Sequence, residues 1–79
     1  MKQVLTDIAK AIVDAPESVV VTEREEGDNV FLELVVSADD MGKVIGKRGK
    51  IANAIRTVVK ATATKDNKRV IVNIVSDAE

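Results

Sequence analysis

The chain contains no cysteine, histidine, tryptophan or tyrosine, and it has a single phenylalanine, Phe31, and a single proline, Pro16. Without cysteine there is neither a disulfide nor a thiolate, which suits a reducing compartment. Without histidine, cysteine or tyrosine the commonest general bases, nucleophiles and zinc ligands are missing. An enzyme is therefore not expected, nor is a bound metal or cofactor. Long apolar runs are missing too, and nothing approaches the roughly 18 residues of a membrane span. The N-terminus is unlike a signal peptide, because Lys2 is followed by a stretch broken at Asp7, Lys10 and Asp14. A cytoplasmic protein with no membrane partner is the expectation.

What remains is small, aliphatic and charged. The 79 residues read as one domain, 1–79, and valine, isoleucine, leucine and alanine supply nearly all of the 46% hydrophobic content. A chain of this size buries only about 60% of the surface its unfolded form exposes. A homodimer interface would add stability. The net charge is −1, which taken alone argues against a nucleic-acid binder. Its distribution argues the other way. Six basic residues (Lys43, Lys47, Arg48, Lys50, Arg56 and Lys60) lie in one stretch without a carboxylate, and all thirteen acidic residues lie outside it. Such a segment can attract phosphate while the rest of the surface repels it.

Apolar periodicity predicts an amphipathic helix over residues 3–15, carried by Val4, Leu5, Ile8, Ile12 and Val13 and stopped by Pro16. Ser18 to Glu26 and Val30 to Val36 read as a hairpin turning on Gly27-Asp28-Asn29, with Leu32, Leu34 and Val36 on one face. Ser37-Ala38-Asp39-Asp40 looks like a helix start with a Ser or Asp cap. A helix of about two turns follows, and Gly46 and Gly49 interrupt it. A longer helix from Lys50 to Ala63 should bury Ile51, Ile55, Val58 and Thr62. After a loop at 65–67, Arg69 to Ser76 reads as a last strand, and 77–79 should fray. The order α-β-β-α-α-β predicts an α+β two-layer sandwich. Its three helices lie on one face of a three-stranded mixed sheet, whose last strand is parallel to the second through a right-handed crossover.

Gly46-Lys47-Arg48-Gly49 gives these features a centre. The Gly-x-x-Gly spacing by itself says little; its setting says more. It falls at the joint between two helices, behind Val44-Ile45, with a cation in both variable places. Glycine lets a phosphate chain approach the backbone, and the following helix presents its N-terminal N–H groups there. A Walker A loop is excluded because Ile51 follows Gly49-Lys50, where that pattern needs Ser or Thr. A Rossmann fingerprint is excluded because Gly42 and Gly46 have the wrong spacing and do not follow a strand.

Val44-Ile45-Gly46-Lys47-Arg48-Gly49-Lys50-Ile51, set in this order of elements, resembles a KH domain. The helix and strand that precede the β-α-α-β unit resemble the type II, prokaryotic arrangement. The stretch from Met41 to Val59 is similar to small stand-alone bacterial members of that family, and the likeness covers essentially the whole chain. The resemblance implies a loop that holds the backbone of about four nucleotides of single-stranded RNA. The bases would turn into a groove bounded by the two short helices and a strand edge. On that pattern Gly46, Lys47, Arg48 and Gly49 form the clamp. Val44 and Ile45 are candidates for the groove floor, with one of the two facing the core, and Lys43, Lys50 and Arg56 are peripheral phosphate contacts. A post-transcriptional regulator or RNA chaperone is implied. The rival reading is a KH fold used mainly for association, as a homodimer or as a heterodimer with a larger KH-containing protein linked to cell elongation and division. Retention of both glycines with Lys and Arg between them favours RNA.

Overall fold

In a computed structural model, which describes residues 2–65 and 67–77, the expected element order is found. It runs α1 (Lys2–Ile12), β1 (Val20–Glu26), β2 (Asn29–Val36), α2 (Met41–Ile45), α3 (Lys50–Lys65) and β3 (Arg69–Ser76). Single 3-10 turns occupy Pro16–Ser18, Ala38–Asp40 and Lys47–Gly49. Strand β2 is central, antiparallel to β1 and parallel to β3. The hairpin closes through Gly27-Asp28, where Gly27 takes φ 61° as a two-residue turn of the primed kind requires. Parts of two expectations, the 65–67 loop at Asp66 and the fraying at Ala78-Glu79, lie outside the described residues.

The core lies between the sheet and the helices. Val30, Leu32, Leu34 and Val36 of β2, with Val21, Val70 and Val72 beside them, pack against Leu5, Ala9, Val44, Ile55 and Val59. Leu5, Leu32 and Leu34 are essentially inaccessible. Each such side chain contributes about 1.5–3 kcal/mol relative to exposure.

Five local expectations need correction. Helix α1 ends at Ile12 rather than at residue 15. Val13 still bonds Ala9 O at 3.1 Å, but the N–H groups of Asp14 and Ala15 both turn to the carboxylate of Asp40, each at 3.1 Å. Ala15, ahead of Pro16, sits at φ −116°, ψ 71°, outside the α region as a residue before proline should. Strand β1 begins at Val20, because Ser18 and Val19 donate to Ala15 O and Pro16 O in a turn. Helix α2 has five residues rather than two turns. Neither Ser37 nor Asp40 makes a side-chain capping bond.

The fifth correction concerns α3, which runs on to Lys65 and buries Ala52, Ile55, Val59 and Ala63. Of the predicted face only Ile55 points inward. Ile51 and Val58 are 38% and 47% exposed, and Thr62 is half-buried. The helix carries two adjacent apolar stripes. The one with small residues goes inward, because Ala52 and Ala63 let its backbone approach the sheet, and the bulkier stripe is left outside.

Candidate nucleic-acid interface

The basic stretch begins where α2 stops. Gly46 closes that helix, its N–H bonded to Gly42 O at 2.9 Å, and adopts φ 73°, ψ 178°. That region of the map belongs almost wholly to glycine. A second reason for glycine is steric: a Cβ there would stand 2.7 Å from Cγ1 of Ile51. Gly49 differs. It also has a positive φ, 74°, but the nearest atom to its missing Cβ is the Asn53 amide nitrogen at 4.0 Å. The space above Gly49 is open, and it lies at the N-terminus of the 16-residue helix α3, where the helix dipole favours an anion, although the N–H groups of Gly49 and Lys50 are already bonded to Gly46 O and Lys47 O.

Between the glycines, Arg48 is held at φ 56°, ψ 27°, a left-handed conformation that costs an L-residue roughly 1–2 kcal/mol. Lys47, Arg48 and Lys50 are exposed, and among the described residues none of the three enters an ion pair. Three unneutralised cations therefore surround a backbone with no side chain over it.

The other predicted site residues divide. Val44 has no exposed surface and belongs to the core, while Ile45 is half-buried at the surface. Of the pair, only Ile45 can line a groove. Lys43 is ion-paired through its ammonium to Asp14, two residues past the end of α1. The hydrogen bond to Asp14 raises the Lys43 pKa above the ordinary lysine value; burial opposes this, and the charges of Asp14 and Asp40 add to it. Arg56, half-buried on α3, donates from Nε to Val72 O at 3.5 Å. That carbonyl points away from the sheet, since odd-numbered β3 residues face β2, as the bonds from Arg69 N to Asp28 O and from Asp77 N to Val36 O show. Arg56 thus lies along the trough between α3 and the free edge of β3.

Two features escaped sequence reasoning. The first is Asp40, which is 2% exposed and is the buried charged residue of the described chain. Its carboxylate accepts from Asp14 N–H, Ala15 N–H and the Ser37 hydroxyl, the last at 3.0 Å. It ties the end of α1 to the helix that carries the loop. The Ser-x-x-Asp spacing of 37–40 was a signal, but of a capping box, whereas the serine here donates to the aspartate and the aspartate reaches across to α1. The second is a groove of about 480 Å³ further along the trough, lined by Lys60, Thr64, Lys68, Arg69, Val70 and Ile71. Among the described residues no group of His, Cys, Asp and Glu is placed to hold a metal, and no helix is long and apolar enough to cross a membrane.

Comparison with known proteins gives this geometry relatives. The fold is similar to part of the GTP-analogue-bound Era structure that contains a segment of 16S ribosomal RNA, with TM-score 0.67 and 15% identity over 95% of this chain and 29% of that one. It is similar also to Aquifex aeolicus Era bound to GDP and aluminium fluoride, with TM-score 0.68 and 18% identity. This chain spans under a third of those proteins, and at such identity the likeness concerns fold alone. In sequence, it is 57% identical over 75 residues to the RNA-binding protein KhpA of Clostridium acetobutylicum, covering 95% of this chain and 100% of that protein. The corresponding protein of Caldanaerobacter subterraneus is 53% identical over the same length. The family model described as the KhpA/KhpB KH domain matches residues 2–74, and the chain belongs to that family.

Proposed function

We propose that the chain is a non-enzymatic, cytoplasmic protein that binds single-stranded RNA by its sugar-phosphate backbone at Gly46-Lys47-Arg48-Gly49. The observation that carries this reading is the open, positively charged loop at the N-terminus of α3. A backbone strand can lie against Gly49 without meeting a side chain, within reach of Lys47, Arg48 and Lys50 and of the positive end of the helix dipole. Ile45 lines the apolar side of the groove, backed by Val44 from the core. Arg56 and the free edge of β3 form its far wall. Relatives named RNA-binding protein KhpA support the same reading. The clamp supplies affinity for a backbone and little sequence preference, as befits a regulator or chaperone acting on many RNAs.

A second reading, association with another copy or with a larger KH-containing protein, is favoured by apolar surface that the fold leaves uncovered at Val20, Ile51, Val58, Ile71 and Val75. Both can hold together.

The test replaces Lys47 and Arg48 by Asp. Circular dichroism and melting should stay nearly unchanged while binding to a short single-stranded RNA disappears. In the unaltered protein, with three to four phosphates neutralised, log affinity should fall against log salt with a slope of about −2 to −3. Binding that survives the double substitution, or that ignores salt, overturns the clamp.

A further inference from the structure

Helix α3 carries a polar row on the side that faces the trough. From Gly49 it runs through Asn53, Arg56, Lys60 and Thr64, at the spacings of three and four residues that keep to one face of a helix. Contacts place the row. The Asn53 amide nitrogen lies 4.0 Å from where a Cβ of Gly49 would stand, Arg56 donates to Val72 O, and Lys60 and Thr64 line the groove of about 480 Å³. The end of the helix brings the facing wall back beside it. Asn67, at φ 56°, donates from its N–H to Thr64 O, and the Lys68 N–H donates to Ala63 O, each at 3.1 Å. This closing turn satisfies two of the last carbonyls and so blunts the negative end of the helix where it borders the groove. It also sets Lys68 and Arg69 across from Lys60 and Thr64, with Val70 and Ile71 as the apolar lining. Lys60 and Arg69 are exposed, and among the described residues neither enters an ion pair, whereas Lys68 is held by Glu25 at 2.6 Å. Val70, an even-numbered residue of β3, turns its backbone N–H out of the sheet edge at the same place.

We propose that this groove is a second phosphate-binding subsite, which takes the backbone of a single-stranded RNA as the strand continues from the loop. The inference rests on the reading of the loop as an RNA clamp, and it lengthens the bound stretch from about four nucleotides to about seven. Lys60 stands about 16 Å along α3 from Gly49, at 1.5 Å per residue. A stacked strand advances about 3.4 Å per nucleotide and an unstacked one advances further, so a strand leaving the loop reaches Lys60 within about five steps. Arg56 lies between, and the trough therefore presents cations in succession at the loop, at its middle and at its far end. A polymer with one charge per unit matches that succession. A protein partner fits the groove less well, because its lining has two lysines and neither an aromatic residue nor a methionine, the reverse of the usual interface composition. Lysine, arginine and backbone N–H groups are instead the donors that phosphate oxygens accept from. Such contacts add affinity and a preference for length, and they read no base.

Nuclear magnetic resonance titration of the intact, isotope-labelled chain with tetrauridine and octauridine tests it, since amide shifts report both affinity and place. The tetramer should move the amides of the loop at Gly46–Gly49. The octamer should move those of Lys60, Thr64 and Val70 as well. Lys60→Gln combined with Arg69→Gln, both at exposed positions, should leave tetramer binding as in the parent. The same variant should weaken octamer binding by about tenfold at low salt and flatten its salt slope by about 1.4, or about 0.7 for each cation removed. The gain from extra registers on a longer strand is common to parent and variant, so it cancels in this comparison. Equal octamer affinity and slope in the two proteins overturn the subsite, and tetramer shifts confined to the loop would leave the clamp standing. Tetramer binding that survives Lys47→Asp with Arg48→Asp overturns the clamp, and the continuation from it falls too. Distal amides that answer uridine monophosphate or a glutamate-rich peptide as tightly as they answer the octamer also overturn the proposal, because the groove would then hold something other than a strand continuing from the loop.

Discussion

The place a Cβ would occupy on Gly46 lies 2.7 Å from Cγ1 and 2.9 Å from Cβ of Ile51, so the first side chain to point across the loop from α3 seals the joint from which the loop emerges. The two glycines of the motif are therefore not equivalent. Gly46 is required by both conformation and space, Gly49 by conformation alone.

Gly46→Ala should accordingly cost about 3 kcal/mol, combining strain at a glycine-only φ/ψ with overpacking. Gly49→Ala should cost about 1 kcal/mol. Urea unfolding of both variants measures the difference. Adding Ile51→Ala to Gly46→Ala should recover part of the loss, because the contact with Cγ1 at 2.7 Å goes while the contact with Cβ at 2.9 Å and the strain stay. Equal costs for the two glycines, or no coupling with Ile51, would show that the joint is not locked in this way.

Arg48 offers a prediction of opposite sign. Its left-handed conformation is one that glycine adopts without penalty, so Arg48→Gly should raise stability by about 0.5–1 kcal/mol after glycine's greater unfolded freedom is subtracted. RNA affinity should fall several-fold in the same variant. Stability and binding moving apart would mark Arg48 as a residue kept in strain for its charge. Asn67, at the same φ of 56°, makes the control: asparagine tolerates that region, so Asn67→Gly should be nearly neutral.

The fold was legible because its signals are local. Alternation in β2, the Gly27-Asp28 turn, Pro16 and the two loop glycines each act within a few residues, and β2, β3 and the Gly46–Gly49 joint came out where the spacing put them. What stayed hidden depends on contacts distant in sequence. Asp40 bonds residues 25 and 26 positions away, and nothing near it announces that Asp14 and Ala15 will arrive. The partner of Lys43 is 29 residues off, so a cation that reads as a phosphate contact turns out to be engaged. On α3 the stripes at 51/55/58 and 52/55/59 are neighbours, and the choice between them rests on how closely the helix can approach the sheet.

Because Asp14 holds Lys43, the basic stretch works with one cation partly withdrawn. The contact raises the Lys43 pKa above 10.5. A raised lysine pKa contributes stability that is present below the unfolded value and lost only as pH rises through the folded one, so the pair is intact at neutral pH. Asp14→Asn should free Lys43 and remove a carboxylate from the edge of the groove. RNA affinity at low salt should rise by about two- to threefold, and the salt slope should steepen by about 0.7 as one more phosphate is neutralised. Fluorescence anisotropy with a labelled oligonucleotide across a salt series measures both. Unchanged affinity and slope would mean that Lys43 points away from the track even when free.

The last prediction concerns acid. The backbone N–H of Asp14 is the first cause that holds the Asp40 carboxyl below its ordinary 3.8; burial pushes the other way, and the Ala15 N–H, the Ser37 hydroxyl and the charge of Lys43 assist the lowering. A folded-state pKa below the unfolded one means that the unfolded chain binds the proton more readily. The contribution is thus present in full above about pH 3.8 and is lost as pH falls through the folded value. Asp40→Asn keeps the shape, but it puts an amide where three donors need acceptors, so its melting temperature at pH 7 should lie about 5–10 °C below that of the parent. On acidification below pH 3.8 the two melting curves should converge, since the parent loses what the variant never had. Calorimetry from pH 7 to pH 2 reads this directly. A gap that stays constant with pH would assign the loss to packing around residue 40 rather than to the carboxylate that joins α1 to the loop-bearing helix.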